Sequence, residues 1–267
     1  MAQGPQRPEG PLRVTSEGAV LEVVLDRPKA NAIDAATSRS MGEVFCSFRD
    51  DPDLRVAIIT GAGERFFSAG WDLRAAAEGE PPDADYGSGG FGGLQELPDL
   101  NKPVIAAING MAVGGGMELA LSADLIIAAE HVRFALPEIS AGTLADAATV
   151  KLPRRIPYHV AMDMLLTGRW MAVDEALRWG LVNQVVPADQ LMPRARELAA
   201  ALAAGPPLVF AALKEVARES ETLSFAEAMR RVMRRELPTV AALYSSEDQL
   251  EGARAFVEKR KPVWKGR

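Results

Sequence analysis

Apolar and polar positions alternate along this chain in two distinct rhythms. Short, largely apolar runs at residues 56–60, 104–108 and 124–129 predict buried strands, and a weakly alternating run at 20–25 predicts another that ends at Asp26-Arg27-Pro28. Helical spacing marks residues 35–48, stopping at Arg-Asp-Asp-Pro, and a short helix is expected from Asp72 to about Ala77. Strands alternating with helices argue for parallel pairing and an α/β core. After about residue 153 helical spacing takes over, at 160–166, 173–179, 193–204, 207–218, 224–236 and 246–258, with 181–186 as the main strand-like exception. Between these parts, residues 78–93 are rich in Gly, Pro, Asp and Ser and read as the one long loop, of a kind that is often a lid or disordered.

This pattern divides the chain into an expected lead-in (1–11), an α/β core (12–200) and a helical C-terminal region (201–267). The lead-in has no apolar stretch, so it reads as disordered rather than as an export signal. The apolar faces of so small a helical unit need the core or other subunits to cover them.

Composition narrows the function. The chain has 267 residues, 48% apolar and 25% charged, which is ordinary globular usage with enough length for a large core. Charges and glycines interrupt every apolar run before it reaches membrane-spanning length, so no membrane partner is expected. A net charge of −6 argues against nucleic acid as a partner. The single cysteine, Cys46, allows no internal disulfide and suits a cytoplasmic location. The only two histidines, His131 and His159, stand far apart, so neither a zinc site nor a histidine-based triad is expected.

The chemistry concentrates in residues 106–138. A buried strand runs into Gly114-Gly-Gly-Met-Glu118, which reads as a turn followed by a helix opening on Gly115. The first N–H groups of a helix have no partner within it, and the helix dipole favours negative charge there. That segment therefore offers an oxyanion site with a carboxylate, Glu118, beside it. Pro137-Glu138 supplies a second carboxylate twenty residues later. In Phe66-Phe-Ser-Ala-Gly-Trp-Asp-Leu-Arg74, Gly70 permits a strained turn that directs the next N–H inward, a second donor to the same oxygen. Each piece has a bland alternative: a tight turn, a core tryptophan, an ordinary helix start. No dinucleotide fingerprint, phosphate loop or nucleophile elbow is present.

Taken in order and spacing, these segments resemble the crotonase (enoyl-CoA hydratase/isomerase) superfamily. Its carriers are Asp26-Arg-Pro-Lys-Ala-Asn-Ala-Ile33, Phe67-Ser-Ala-Gly-Trp-Asp72, Asn109-Gly-Met-Ala-Val-Gly-Gly-Gly116, Pro137-Glu138 and Thr167-Gly168, with further support from 175–183 and 255–260. The resemblance implies a crotonase-like spiral of ββα units whose helical C-terminal region builds homotrimers, usually paired into hexamers. It implies reversible hydration or dehydration of a CoA thioester, a hydro-lyase reaction. The oxyanion hole maps onto the N–H groups of Trp71 and Gly115, and the acid–base pair onto Glu118 and Glu138. CoA contacts map onto Arg27, Lys29, Ala30, Ala69, Trp71 and Arg74, with Phe256 and Lys259 reaching a neighbouring subunit's nucleotide end. CoA enters as part of the substrate, and no permanently bound cofactor or metal is implied.

Segments 26–34, 67–73, 75–80 and 262–267 further resemble the branch of the superfamily acting on a betaine acyl group. Trp71, Tyr86 and Phe91 are the aromatic candidates for its quaternary ammonium. One departure stands out: Asp146 occupies a position where typical hydratases carry a glycine whose N–H touches the water, so it is expected either to add an acid to the acyl pocket or to cap a helix. The alternatives are a short-chain enoyl-CoA hydratase of fatty-acid breakdown, an enoyl-CoA isomerase, and a CoA-binding protein without catalysis.

Overall fold

In the computed structural model, residues 10–267 are described, so most of the expected lead-in lies outside the described residues. Pro11 is already part of the fold, its carbonyl accepting the Asp26 N–H at 2.8 Å. Ten strands follow: β1 (Leu12–Glu17), β2 (Val20–Leu25), β3 (Val56–Gly61), β4 (Phe66–Ser68), β5 (Val104–Ile108), β6 (Met111–Val113), β7 (Leu125–Ala129), β8 (Arg133–Ala135), β9 (Met171–Ala172) and β10 (Gln184–Val186). The first half also holds the helices α1 (Ala35–Asp50), α2 (Leu73–Ala77), α3 (Gly115–Ala120) and α4 (Glu138–Ala141). The second half adds α5 (Asp146–Arg155), α6 (Tyr158–Thr167), α7 (Val173–Arg178), α8 (Leu191–Ala203), α9 (Pro207–Ser220), α10 (Phe225–Met233), α11 (Pro238–Ser245) and α12 (Glu251–Glu258).

Three strand–strand–helix units repeat: β3-β4-α2, β5-β6-α3 and β7-β8-α4. The first strand of each joins a six-stranded sheet in the order β1-β2-β3-β5-β7-β10, and the second joins a four-stranded sheet in the order β4-β6-β8-β9. The leading strands β3, β5 and β7 pair in parallel. Sheet faces covered on both sides call for nearly continuous apolar strands, as residues 56–60 and 104–108 are. β2 alternates buried with half-buried positions and pairs antiparallel with β1, which is largely exposed. That exposure explains why Leu-Arg-Val-Thr-Ser-Glu gives no strand signal by hydrophobicity: an edge strand needs few apolar residues.

Met41, Phe45 and Phe48 of α1 are fully buried in the main core. Side chains of that kind each contribute about 1.5–3 kcal/mol relative to exposure. The main core runs through to Ala195 and Ala199 of α8, whereas Ala212, Leu237 and Val240 form a separate small cluster within the C-terminal helices. Two helices escape the hydrophobic pattern. α5 carries Pro153 within it, and α11 is eight residues opening on Pro238. The helix expected over 224–236 ends at Met233, and that expected over 246–258 is a 3-10 turn followed by α12. No single helix among the described residues is long and apolar enough to cross a membrane.

Candidate active site

The site begins with one peptide plane. The Ile33 N–H donates to the Gly70 carbonyl at 2.8 Å, and the Asp72 N–H donates to the Ile33 carbonyl at 2.9 Å. Both bonds go to the neighbours of Trp71. In a trans peptide the carbonyl and the following N–H point in opposite directions. Fixing the Gly70 carbonyl on Ile33 therefore turns the Trp71 N–H away from that strand. Gly70 has φ +81°, and a β-carbon on it would lie 2.6 Å from the Gly115 nitrogen. Only glycine lets the two backbones come so close. Gly115 is the first residue of α3, where an N–H has no acceptor inside the helix. The fold thus places two amide donors side by side, one from the β4–α2 turn and one from the β6–α3 turn.

The two carboxylates flank this pair. Glu118, in the first turn of α3, is only 7% exposed. Its Oε1 accepts the Ala148 N–H of α5 at 2.9 Å. Glu138, the first residue of α4, reaches back so that its Oε1 would lie 2.6 Å from a β-carbon on Gly114. Its Oε2 is buried without a hydrogen-bond partner. Burial pushes the Glu138 carboxyl up to about 7, and the negative charges of Glu118 and Asp146 add to that push. Burial also pushes Glu118 above the ordinary carboxylate range, but the hydrogen bond from the Ala148 N–H opposes it by favouring the ion.

Trp71, Gly115, Glu118 and Glu138 line one cavity of about 570 Å³, together with Tyr86, Phe91 and Asp146. Trp71 is half-buried and faces this cavity rather than being lost in the core. Tyr86 and Phe91 meet edge to face at 5.4 Å, and the Phe91 ring lies directly over Gly115. Asp146 does not cap α5: the capping position is Ala145, with no side-chain bond, and Asp146 instead lines the cavity. The altered turn still supplies a backbone donor through Ala148. Gln95 and Glu96, which no sequence pattern marks, also line the cavity, and Gln95 Nε2 is buried without a closed hydrogen bond.

Of the expected CoA contacts Trp71 lines the cavity, and the others lie outside its wall. Ala30 and Ala69 are joined by a 2.9 Å backbone bond, and Lys29 and Arg74 are exposed. Arg27 is otherwise engaged: its guanidinium holds Asp34 at 2.6 Å, Asp72 at 2.9 Å and the Ala32 carbonyl at 2.7 Å. Phe256 is 85% exposed on α12, and Lys259, also exposed, ends that helix with φ +52°.

Residues 15–267 match the family model for enoyl-CoA hydratase/isomerase, and the chain belongs to that family. It is a hydro-lyase of CoA thioesters. Among its curated relatives is a carnitinyl-CoA dehydratase of Proteus mirabilis, 60% identical over 96% of this chain and 98% of the relative. A carnitinyl-CoA dehydratase of Salmonella enteritidis is 58% identical over the same shares. The crystal structure of an enoyl-CoA hydratase from Mycobacterium tuberculosis superposes with a TM-score of 0.88 at 37% identity, covering 97% of this chain and all of that one.

Proposed function

We propose that this chain interconverts carnitinyl-CoA and crotonobetainyl-CoA, with Glu118 and Glu138 moving the protons and the Trp71 and Gly115 N–H groups holding the thioester oxygen. In hydration, ionised Glu118 takes a proton from water as the water oxygen bonds to the β-carbon. The double-bond electrons move toward the thioester oxygen, where the two amides stabilise the enolate. Glu138 then gives its proton to the α-carbon. Dehydration is the reverse: Glu138 removes the α-proton, and Glu118 protonates the departing hydroxyl. The hydrogen bonding at Glu118 supports its role as the ion in hydration, and the value near 7 supports Glu138 as the proton carrier.

One observation carries the choice of acyl group. Asp83, Asp85, Glu96 and Asp146 line the same cavity as the two glutamates, and no lysine or arginine among the described residues joins them. Such a field favours a cationic acyl group, and the faces of Trp71, Tyr86 and Phe91 suit a quaternary ammonium. A neutral short-chain acyl group would draw nothing from it. Both proton transfers lie within the reach of carboxylates, so the reading assigns no resident cofactor, and CoA arrives with the substrate.

The test compares carnitinyl-CoA with the neutral 3-hydroxybutyryl-CoA, in wild type and in Glu118→Gln and Glu138→Gln. The reading requires a clear preference for the cationic thioester and loss of turnover in both variants with CoA-thioester binding kept. Equal turnover of the neutral substrate would reassign the chain as a general short-chain hydratase. The same reading places the protein in the cytoplasm as a homotrimer or a dimer of trimers. Exposed Phe225, Met233, Phe256 and Val257 in the C-terminal helices support subunit contact there.

A further inference from the structure

We propose that Glu80 is a positioning residue for the oxyanion donor Trp71. Its carboxylate fastens the Trp71 indole to the start of α1. Oε1 accepts the indole Nε1–H at 3.2 Å, and both oxygens accept the Ala35 N–H at 3.1 Å. Ala35 is the first residue of a sixteen-residue helix, so the anion sits where the helix dipole and an otherwise unpaired N–H both favour it. Asp34, the preceding residue, caps the same helix through the Thr37 N–H at 2.7 Å and is tied through Arg27 to Asp72. Trp71 is therefore held on both sides. Its backbone is fixed by Ile33 and by the Asp72–Arg27–Asp34 chain, and its side chain by Glu80.

The consequence for the amide pair is geometric. Gly70 has no side chain to resist rotation, and its peptide plane sets where the Trp71 N–H points. Backbone bonds to Ile33 set that plane, but a free indole would let the turn rock about Gly70. An anchored indole removes that freedom. Glu80 also closes the turn after α2, its N–H donating to the Ala75 carbonyl at 2.9 Å. The next residues along the chain, 82–87, are cavity wall. One carboxylate thus sets both the oxyanion donor and the point from which the acidic, aromatic wall departs.

This inference rests on the reading of Trp71 as an oxyanion donor, and the experiment separates the two. The probe is a chromophoric enoyl thioester, 2,4-hexadienoyl-CoA, whose absorption moves to longer wavelength when its carbonyl is polarised. The first measurement is that shift on binding to wild type, Glu80→Ala, Glu80→Gln and Trp71→Phe. The second is kcat and KM with the hydratable substrate. Wild type is expected to shift the band. Glu80→Ala and Trp71→Phe are expected to shrink the shift and lower kcat by on the order of ten- to a hundredfold, with KM moving less than about threefold. The double variant is expected to be no worse than either single one, because both remove the same tether. Glu80→Gln keeps an acceptor for the indole and is expected to recover much of the shift.

No shift in wild type overturns the oxyanion reading itself. A full shift and normal kcat in Glu80→Ala, with wild type shifted, overturn the role of Glu80 alone. Additive losses in the double variant do the same. Should Glu80→Ala unfold through the loss at α1, Trp71→Phe and Glu80→Gln still decide the matter, since neither removes the anchor of the helix.

Discussion

The two sides of the cavity are built by opposite means. The amide side is all backbone: two turns meet at Gly70 and Gly115 so closely that a β-carbon on Gly70 would strike the Gly115 nitrogen at 2.6 Å. The acid side is all side chain: Glu118 and Glu138 sit on short helices, and one of them keeps an oxygen with no partner. Electrostatic stabilisation needs donors that do not reorganise during the reaction, which tight backbone supplies. Proton transfer needs groups whose charge can change, which a fully satisfied carboxylate would resist.

The largest expected effects test the acid side. Glu138→Gln and Glu118→Gln should each lower kcat by about 10²–10⁴-fold, with binding of the CoA thioester largely kept. Stopped assays with carnitinyl-CoA measure the first quantity and calorimetry the second. A variant that keeps more than a tenth of wild-type kcat would remove that glutamate from the chemistry. Gly70→Ala probes the other side without touching an acid. Its β-carbon must push the Gly115 nitrogen away, so kcat should fall by about 10²–10³-fold while the pH dependence of the residual activity stays as in wild type. A changed pH profile would mean that the two sides are not separable.

Legibility in the sequence followed the same division. The amide side could be found because close backbone approach demands glycine: Gly70, Gly114 and Gly115 announce it, as do the strands that lead into each turn. Glu118 and Glu138 could be found because they lie at fixed offsets from those turns. The acid wall left far less trace. Asp83, Asp85 and Glu96 look like ordinary solvated loop residues until the fold gathers them around one cavity. Gln95 carries no motif at all. Arg27 carries a plausible role, yet its guanidinium is held by two helix-capping aspartates, a long-range arrangement invisible to local pattern. β1 escaped because an exposed edge strand obeys no hydrophobic rhythm.

The acid wall should therefore govern which acyl group is used rather than how fast bonds change. Asp85→Asn and Asp146→Asn should each lower kcat/KM for carnitinyl-CoA about three- to tenfold, and leave 3-hydroxybutyryl-CoA nearly unaffected. Added salt should weaken the preference in wild type and do less in the variants. Equal losses on both substrates would assign these residues to the fold rather than to selectivity.

The smallest effects should appear in the pH response of the glutamate pair. In the proposed mechanism both directions start from a glutamate pair holding one proton, so kcat/KM should be bell-shaped, with its upper limb near 7, where the last proton leaves. A flat profile from pH 5.5 to 8.5 would contradict the shared proton. Stability supplies an independent reading. The folded carboxyl of Glu138 binds its proton more tightly than the unfolded chain does, so its contribution is fully present below about 4.5 and is lost as pH rises to about 7. Glu138→Gln has no such proton to lose. Relative to wild type, the variant should gain on the order of 1–3 kcal/mol between pH 4.5 and 8, read as a widening gap in melting temperature. A gap that stays constant with pH would show that burial of this acid costs the fold nothing, and the proton it carries would then have to be held by Glu118.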